Sequence, residues 1–263
     1  MIDLSLDGLT ALVCGSTSGI GRACAEVMAD QGARVILLAR DPEKLATTVS
    51  DLARGADHAH EFLVADFLDP AGVEKVVTEA LPRLGPFHVL VNNTGGPPGG
   101  PIVDAGPSEF QRAVASHLLC NHVLTQLLLP GMKAEGYGRI INIVSTSVRQ
   151  PIPLLGVSNT TRAAVAAWSK TLSKEVARFG ITVNCVLPGA TKTARLASLM
   201  SARAEASGTT VEEEESKWLS QIPAGRFGEP YELGHAVAFL ASRVSGYITG
   251  VSLPIDGGRI DCL

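Results

Sequence analysis

The sequence predicts an α/β protein built on a doubly wound parallel sheet of about seven strands, with helices on both faces. Short β-branched or aliphatic runs recur along nearly the whole chain and alternate with helical patterns. Runs that are almost continuously apolar are typical of strands covered on both faces, and their alternation with helices favours right-handed βαβ units. A glycine-rich turn follows the first apolar run and opens the first helical pattern.

Each apolar run is predicted to be a strand, and the segments between them are predicted to be helices. The predicted strands are Leu12–Val13, Val35–Leu38, Phe62–Val64, Val89–Val91, Ile140–Val144, Ile181–Val186 and Val251–Ile255. The predicted helices are Gly21–Gln31, Pro42–Ala53, Pro70–Leu81, Ser108–Glu135, Ser158–Phe179 and Glu229–Ala241. No linker, repeat or change of composition divides the chain, so residues 1–263 are expected to form a single domain.

One segment, from Thr193 to Ile222, lacks a clear period and is interpreted as a variable substrate loop within that domain. It contains the acidic run Glu212–Glu215. Such a charge run is typical of a solvated helix face, and a partner site is the alternative.

Composition and charge narrow the classes of partner and compartment. The net charge is −4, the pI is near 5.9 and the basic residues are dispersed, so no nucleic-acid partner is expected. No apolar run approaches membrane-spanning length and the first residues lack a cationic leader, which predicts no membrane partner and a cytoplasmic location. The five cysteines are widely spaced without a metal-binding pattern. They predict no metal site and no disulfide, only buried filler residues and an exposed tail thiol.

A glycine-rich turn carries the strongest chemical signal. Its residues are Gly15, Ser16, Thr17, Ser18, Gly19, Ile20 and Gly21, placed between the first strand and the first helix. Glycine lets the backbone approach a pyrophosphate, and the N-terminus of the helix points free N–H groups and a positive dipole end at the anion. A second strand follows at the spacing of a dinucleotide-binding unit, so we expect these residues to hold a nicotinamide dinucleotide.

Arg40, after Ala39 at the end of the second predicted strand, bears on cofactor choice. An NAD-selective site places an acidic residue here for the ribose 2′-hydroxyl, whereas a guanidinium can bind the 2′-phosphate of NADP. NADP(H) is therefore the predicted cofactor, with NAD less favoured. The alternative is that Arg40 is only a surface residue before the next helix.

These features resemble the short-chain dehydrogenase/reductase family, a group with a Rossmann-type sheet, over almost the entire chain. The matching segments are the GxxxGxG spacing of Gly15–Gly21, Asp66 after the third strand, Asn92-Asn93-Thr94-Gly95 after the fourth, Asn184, Pro188-Gly189 and Thr193. The resemblance implies that Asp66 contacts adenine and that Asn93, Gly95, Pro188, Gly189 and Thr193 lie along the cofactor. The closing segment Ile248–Gly258 resembles the family's last strand, which implies a homo-oligomer, either a tetramer or a dimer. The family's usual Thr before the turn is Cys14.

The catalytic residues depart from the family pattern. Members use an Asn, Ser, Tyr, Lys tetrad, and the resemblance assigns the Ser to Ser145, which follows the fifth strand. Ser158 stands at the Tyr position, thirteen residues later, and Arg162 at the Lys position. The Asn position aligns with His117.

Ser158 and Arg162 keep the positions of the family's Tyr and Lys but not their acidity. Ser158 and Arg162 are four residues apart, so both can face the nicotinamide. A serine hydroxyl is about 5 pKa units less acidic than a tyrosine, and an arginine stays charged. His117 is the remaining candidate proton donor, with a structural buried histidine as its alternative. Ser158 is alternatively a helix N-cap.

Two proline-rich loops, Gly95–Pro101 and Arg149–Pro153, follow strand ends. They either shape a substrate cleft or only brace it.

Three functional hypotheses follow. The first is an NADP(H)-dependent oxidoreductase acting on a small-molecule carbonyl or alcohol, with 3-oxoacyl compounds suggested by resemblance to 3-oxoacyl-acyl-carrier-protein reductases. The second is a non-catalytic NADP-binding sensor or subunit. The third is catalysis on a substrate that carries its own acid.

Overall fold

A computed structural model of the protein describes residues 3–52 and 59–262. The strands are β1 (Thr10–Cys14), β2 (Arg34–Ala39), β3 (Glu61–Val64), β4 (Val89–Asn92), β5 (Gly138–Ile143), β6 (Ile181–Pro188) and β7 (Ser252–Ile255). The helices are α1 (Gly19–Asp30), α2 (Pro42–Asp51), α3 (Pro70–Leu84), α4 (Pro107–Val114), α5 (Cys120–Ala134), α6 (Gly156–Val176), α7 (Ala194–Ser207), α8 (Val211–Leu219) and α9 (Pro230–Ala241). One π-helical turn, Ala115–Leu119, joins α4 to α5.

The described strands form one sheet in the order β3-β2-β1-β4-β5-β6-β7, and every neighbouring pair is parallel. The strand order reverses between β1 and β4. Ligands of doubly wound sheets bind at this switch point, outside the carboxyl ends of the strands. The turns that leave β1 and β4 therefore mark the expected site.

The sheet forms because its central strands have apolar side chains on both faces. Every residue of β1, β4 and β5 is buried. One face packs against α1 and α9 through a core that includes Val13, Met28 and Val237. The opposite face packs against α3 and α5 through a core that includes Leu12 and Leu124. These two cores hold the strand ends, and with them the site, in fixed positions.

The predicted fold class is confirmed, and each predicted strand is present with ends that shift by one or two residues. The predicted helix Ser108–Glu135 is interrupted, because the π turn adds a bulge inside it. The predicted end of the second helix, Ala53, lies outside the described residues. The cysteine prediction is confirmed within the described chain, where Cys14, Cys24, Cys120 and Cys185 are buried and Cys262 is exposed.

Two local expectations are wrong. The segment Thr193–Ile222 is not irregular, since it contains α7 and α8, and its role as a substrate loop stays a prediction. Its acidic run lies on a helix, α8, as expected, with Glu212, Glu213 and Glu215 exposed and Glu214 buried. Ser158 is not an N-cap, because α6 begins two residues earlier and its N-cap position is Leu155.

Over the described chain, no helix combines the length and apolar character needed to cross a bilayer.

The contact between α1 and α9 depends on a glycine, which gives a test of the fold. A Cβ at Gly234 would lie 2.8 Å from the Ala23 carbonyl oxygen and 3.0 Å from Val27 Cγ2. We expect Gly234→Ala to lower the free energy of unfolding by about 1–3 kcal/mol, because overpacking outweighs the gain in helix propensity. Urea denaturation measures this change.

Gly131→Ala is the matched control. Gly131 also lies inside a helix, but a Cβ there would make an ordinary contact, 3.6 Å from Pro86 Cβ. This variant is expected to raise the free energy of unfolding by about 0.5–1 kcal/mol. Equal effects of the two variants would contradict the packing explanation.

Candidate active site

Two adjoining cavities lie at the carboxyl ends of the strands. The Ser145 cavity, of about 270 Å³, is lined by the glycine-rich turn, the end of β5, the start of α6 and the segment after β6. The Arg40 cavity, of about 460 Å³, is lined by the same turn, the ends of β2 and β3, and α4. Gly15, Ser18, Thr94, Gly95 and Gly96 line both. The pair forms one elongated groove across the switch point.

The glycine-rich turn is held by close backbone contacts. A Cβ at Gly21 would lie 2.2 Å from the Gly15 carbonyl oxygen, and one at Gly15 would lie 2.6 Å from the Asn93 carbonyl oxygen. Asn93 Nδ2 donates to the carbonyl oxygens of Cys14 and Gly15, each at 3.2 Å. Only glycine fits at these two positions, and Asn93 ties the turn after β4 to the turn after β1.

The turn fits a dinucleotide phosphate. Ser16 is fully buried and its hydroxyl has no hydrogen-bond partner within the described chain. The helix α1 begins at Gly19, so its first N–H groups point toward the groove. Thr17 lines the Arg40 cavity, Gly19 and Ile20 line the Ser145 cavity, and Ser16 and Gly21 lie behind the turn.

The Arg40 cavity has the features expected at an adenosine phosphate. Arg40 is exposed beside Ala39, and Asp66 lines the same wall. One oxygen of Asp66 accepts the Leu68 backbone N–H at 2.9 Å, which fixes the side chain at the end of β3. No carboxylate stands at position 39, so nothing there repels a 2′-phosphate.

The segment after β6 forms the far wall of the Ser145 cavity. Pro188, Gly189 and Thr193 all line it. The Thr193 hydroxyl caps α7 by accepting the Leu196 N–H at 3.3 Å. Asn184 instead braces the sheet, since its side chain binds Ile248 O and Val251 N.

Three of the four candidate catalytic residues meet in the Ser145 cavity. Ser145 Oγ accepts the Ser147 N–H at 3.1 Å, which leaves its own hydrogen free to donate into the cavity. Arg162 Nη1 donates to the Ile143 carbonyl oxygen at 2.7 Å. Ser158 lies one turn before Arg162 on α6, and its hydroxyl makes no hydrogen bond with described residues.

The fourth candidate, His117, agrees with the buried structural histidine rather than with the proton donor. It lies in the π turn, is buried, and its Nδ1 is 2.5 Å from Thr94 Oγ1. Burial, reinforced by the positive charge of Arg162, lowers the pKa of His117 from 6.5 to about 2. The imidazole is therefore neutral at physiological pH, so an imidazolium at His117 is not the proton donor. His117 lines the Arg40 cavity, and Thr94 connects it to the Ser145 cavity.

Among the residues that the structure describes, no tyrosine or lysine lines either cavity. Tyr137 is buried away from them and donates to the Ala241 carbonyl oxygen at 2.6 Å, while Tyr231 and Tyr247 are exposed. The usual phenol and ammonium of the family are thus missing from the space where Ser158 and Arg162 stand.

The groove also contains residues to which sequence reasoning assigned no role. They include Thr94, which was named only as part of its motif, and Arg195, Trp218 and Arg259, which carried no local signal. Arg195 lies two residues beyond Thr193, and its Nη2 donates to the Pro97 carbonyl oxygen at 2.5 Å. Trp218 on α8 is buried beneath the Arg259 guanidinium. The loops Gly95–Pro101 and Arg149–Pro153 also contribute lining residues to the groove.

Comparison with known proteins identifies the family. The family model described as enoyl-(acyl carrier protein) reductase matches residues 15–259. A putative ketoacyl reductase of the granaticin polyketide synthase from Streptomyces violaceoruber is 35% identical over 94% of this chain and 92% of that protein. The 3-oxoacyl-[acyl-carrier-protein] reductase FabG of Haemophilus influenzae is 34% identical over 96% of this chain and 98% of its own.

The chain belongs to the short-chain dehydrogenase/reductase family. Among solved structures, the L-sorbose reductase of Gluconobacter frateurii with NADPH and L-sorbose is 31% identical, covers both chains fully and superposes with a TM-score of 0.92. The actinorhodin polyketide ketoreductase with NADPH is 32% identical over 97% of this chain and 98% of that chain, with a TM-score of 0.90. Both structures hold NADPH, which supports the predicted cofactor. The predicted homo-oligomer and cytoplasmic location stay predictions.

The neutral, buried state of His117 gives a test by pH. Its unfolded-state pKa is near 6.5 and its folded-state pKa is about 2, so only the unfolded chain takes up this proton as the pH falls below about 6.5. The native state therefore loses stability on acidification. Between about pH 6.5 and pH 5, this residue should lower the free energy of unfolding by about 2 kcal/mol.

Urea denaturation of the native protein and His117→Asn at about pH 7.5 and about pH 5 measures this contribution. The variant is expected to show the weaker pH dependence. His235→Asn, at an exposed position on α9, should follow the native protein. A native-like pH dependence in His117→Asn would mean that the histidine is charged in the folded state.

Proposed function

We propose that the protein is an NADP(H)-dependent oxidoreductase that interconverts a carbonyl and an alcohol through an atypical site of Ser145, Ser158 and Arg162. The observation that carries this proposal is that these three side chains line one cavity with the glycine-rich turn. The family relatives include proteins named ketoacyl and 3-oxoacyl-[acyl-carrier-protein] reductases, which makes 3-oxoacyl-like compounds a candidate substrate class.

Different residues of the groove would bind different parts of the cofactor. The backbone N–H groups at the start of α1, with the Ser18 hydroxyl, would hold the pyrophosphate. Arg40 would bind the 2′-phosphate and Asp66 the adenine edge. Arg162 would sit at the ribose and the reacting carbonyl. When bound, NADPH supplies the hydride for reduction of the carbonyl carbon.

Hydroxyl donors then act on the carbonyl oxygen. Ser145 donates its free hydrogen, since its oxygen already accepts from Ser147. Ser158 donates from the first turns of α6. As negative charge develops on the oxygen, the Arg162 guanidinium stabilises it, because a fixed cation in a partly dry cavity needs no reorganisation at that moment. The pKa of Arg162 is lowered to about 10 by burial and by Arg195, so the side chain remains charged at neutral pH.

The proton must arrive by a different route from the usual phenol. A serine hydroxyl releases a proton only while it accepts another, because its own acidity is too low. Ser158 therefore acts as a relay between solvent and the alkoxide. His117 stays neutral and orients Thr94 at the junction of the two cavities.

The non-catalytic NADP-binding reading is the second candidate. It is favoured by the absence of tyrosine and lysine from the lining of both cavities and by the neutral His117. On this reading the groove would bind NADPH without turnover. A substrate that supplies its own acid is compatible with the first candidate and would be marked by activity insensitive to Ser158→Ala.

Turnover separates the two candidates. The purified protein with NADPH and a panel of ketones, aldehydes and 3-oxoacyl thioesters should consume NADPH, followed by its absorbance. Ser145→Ala should lower kcat/KM about 100-fold or more, as for the loss of an oxyanion donor. Ser147→Ala is the control, since this hydroxyl is buried in the same turn but lines neither cavity. Tight NADPH binding without turnover on any compound would reject the enzyme reading.

Cofactor choice is tested by calorimetry. Arg40→Ala should weaken NADPH binding about tenfold to a hundredfold and leave NADH binding unchanged, because charge-assisted hydrogen bonds to the 2′-phosphate are lost. Arg112→Ala is the matched variant, since Arg112 is also exposed on the wall of the Arg40 cavity. If Arg112→Ala changes the NADPH to NADH ratio and Arg40→Ala does not, the phosphate is held by α4 instead.

A further inference from the structure

The Ser145 cavity is strongly cationic although the chain as a whole is acidic. Three arginines, Arg162, Arg195 and Arg259, line it, and the described residues of its lining include no aspartate or glutamate. The net charge of the whole chain is −4. The positive charge is therefore a local property of this cavity and favours an anionic ligand.

None of the three guanidinium groups is neutralised by the described chain. Arg162 donates to Ile143 O, Arg195 to Pro97 O, and Arg259 Nη2 to Gln221 Oε1 at 3.2 Å, and all three acceptors are neutral. Among the ion pairs within 4.0 Å, none involves these arginines. Asp256 is the carboxylate whose charge reaches Arg259, and it does so only at longer range.

Holding these cations together is unfavourable without a ligand. Desolvation lowers the pKa of each guanidinium, and Arg195 further lowers the pKa of Arg162 by repulsion. Arg203 acts in the same way on Arg259. Arg195 is exposed and Arg162 and Arg259 are half-buried, so the cost of an unpaired charge falls mainly on Arg162 and Arg259. A carboxylate bound at these guanidinium groups would offset that cost through charge-assisted hydrogen bonds.

Arg259 lies on the substrate side of the cavity. Its guanidinium is stacked on the Trp218 ring, 4.6 Å from the centroid, which fixes its orientation. It also lines a neighbouring cavity of about 400 Å³ with Gln150 and Ile152, and that cavity includes no residue of the glycine-rich turn. Ile152, Leu155 and Leu199 supply the apolar part of the shared wall. The charge of Arg259 is thus placed away from the phosphate-binding turn.

We propose that the substrate is a small oxo acid whose carboxylate is bound by Arg195 and Arg259 while its carbonyl lies at Ser145. This inference rests on the proposed oxidoreductase function and deepens it. In the reduction, the carbonyl carbon would take a hydride from NADPH, which would become NADP⁺, the oxygen would take one proton from solvent, and the carboxylate would be unchanged. The nicotinamide would share the cavity of about 270 Å³, so the space left at Ser145 favours a compound of a few carbons.

The cofactor is a second source of oxyanions, because its pyrophosphate would lie against the same cavity. The planar guanidinium of arginine can bind either a phosphate or a carboxylate through two hydrogen bonds. The two possibilities can be distinguished because they predict that the arginines affect the affinity for different ligands, the oxo acid in one case and NADPH in the other. Substrate recognition requires that Arg195 and Arg259 govern the binding of the oxo acid and leave the binding of NADPH unchanged.

The experiment compares each oxo acid with its neutral ester. Pyruvate, acetoacetate and levulinate, with their methyl esters, are assayed for kcat/KM with saturating NADPH. At least one acid should exceed its ester about tenfold or more, and Arg195→Ala and Arg259→Ala should lower kcat/KM for that acid about tenfold to a hundredfold while leaving its ester within about threefold. Arg178→Ala is the matched control, since Arg178 is an exposed arginine stacked on Phe179 and lines none of these cavities.

Calorimetry of the same acids with the protein saturated in NADP⁺ gives a readout that needs no turnover. Binding of an acid that is lost in both arginine variants supports the carboxylate site even if no compound is reduced; the proposed function then fails, while the assignment of Arg195 and Arg259 as carboxylate ligands stands. If the esters are reduced as well as the acids, and the arginine variants change neither activity, this inference is overturned and the proposed function is unaffected. It is also overturned if the variants bind NADPH more weakly but bind the acids as the native protein does, because the arginines would then bind the cofactor phosphates.

Discussion

The contact between the turn after β1 and the turn after β4 is the constraint on which the site depends. Asn93 binds two successive carbonyl oxygens of the first turn, and Gly15 and Gly21 leave no room for side chains between the segments. This contact joins neighbouring strands on opposite sides of the switch point, so it fixes the position of α1 relative to the sheet. The glycine-rich turn is therefore built mainly from backbone atoms, and its geometry depends little on which side chains surround it.

The part of the groove around Ser145 is held in place by side-chain hydrogen bonds rather than by close backbone contacts. Ser145 and Arg162 are positioned by bonds to backbone atoms around the end of β5, and Asn142 on that strand receives an amide hydrogen from Asn92 at 2.8 Å and donates to Ser169 at 2.9 Å. These buried polar bonds tie β4, β5 and α6 together behind the cavity. Buried polar bonds of this kind help to fix the end of β5, to which Arg162 binds, although Asn92 Oδ1 has no hydrogen-bond partner among the described residues.

The sequence predicts the sheet and the glycine-rich turn well because both depend on local patterns. Strands such as β5 are buried on both faces, so their apolar runs are visible, and glycine spacing directly reflects close backbone approach. The properties of His117, Arg195 and Arg259 escape prediction because they arise only after packing. Desolvation sets the pKa of His117, and the two arginines line one cavity from α7 and from the segment after β7. Helix α7 was itself missed because it combines a weak apolar period with a polar sequence.

The absence of a phenol and the excess of positive charge have opposite effects on the stability of negative charge at the reacting oxygen. Replacing a tyrosine by a serine widens the acidity gap at the reacting oxygen by about 5 pKa units, or about 7 kcal/mol. A guanidinium about 4 Å from that oxygen, at an effective dielectric constant of about 20, stabilises an alkoxide by about 4 kcal/mol. Hydrogen bonds from two serine hydroxyls to the charged oxygen add about 1.5 kcal/mol or more each. In the proposed mechanism, Arg162, Ser145 and Ser158 would together supply stabilisation of the size that the acidity of a tyrosine provides, so the alkoxide would persist until Ser158 relays a proton from solvent. We would then expect the arrival of the proton to limit the reduction, while Arg195 and Arg259, rather than Arg162, would select an anionic substrate.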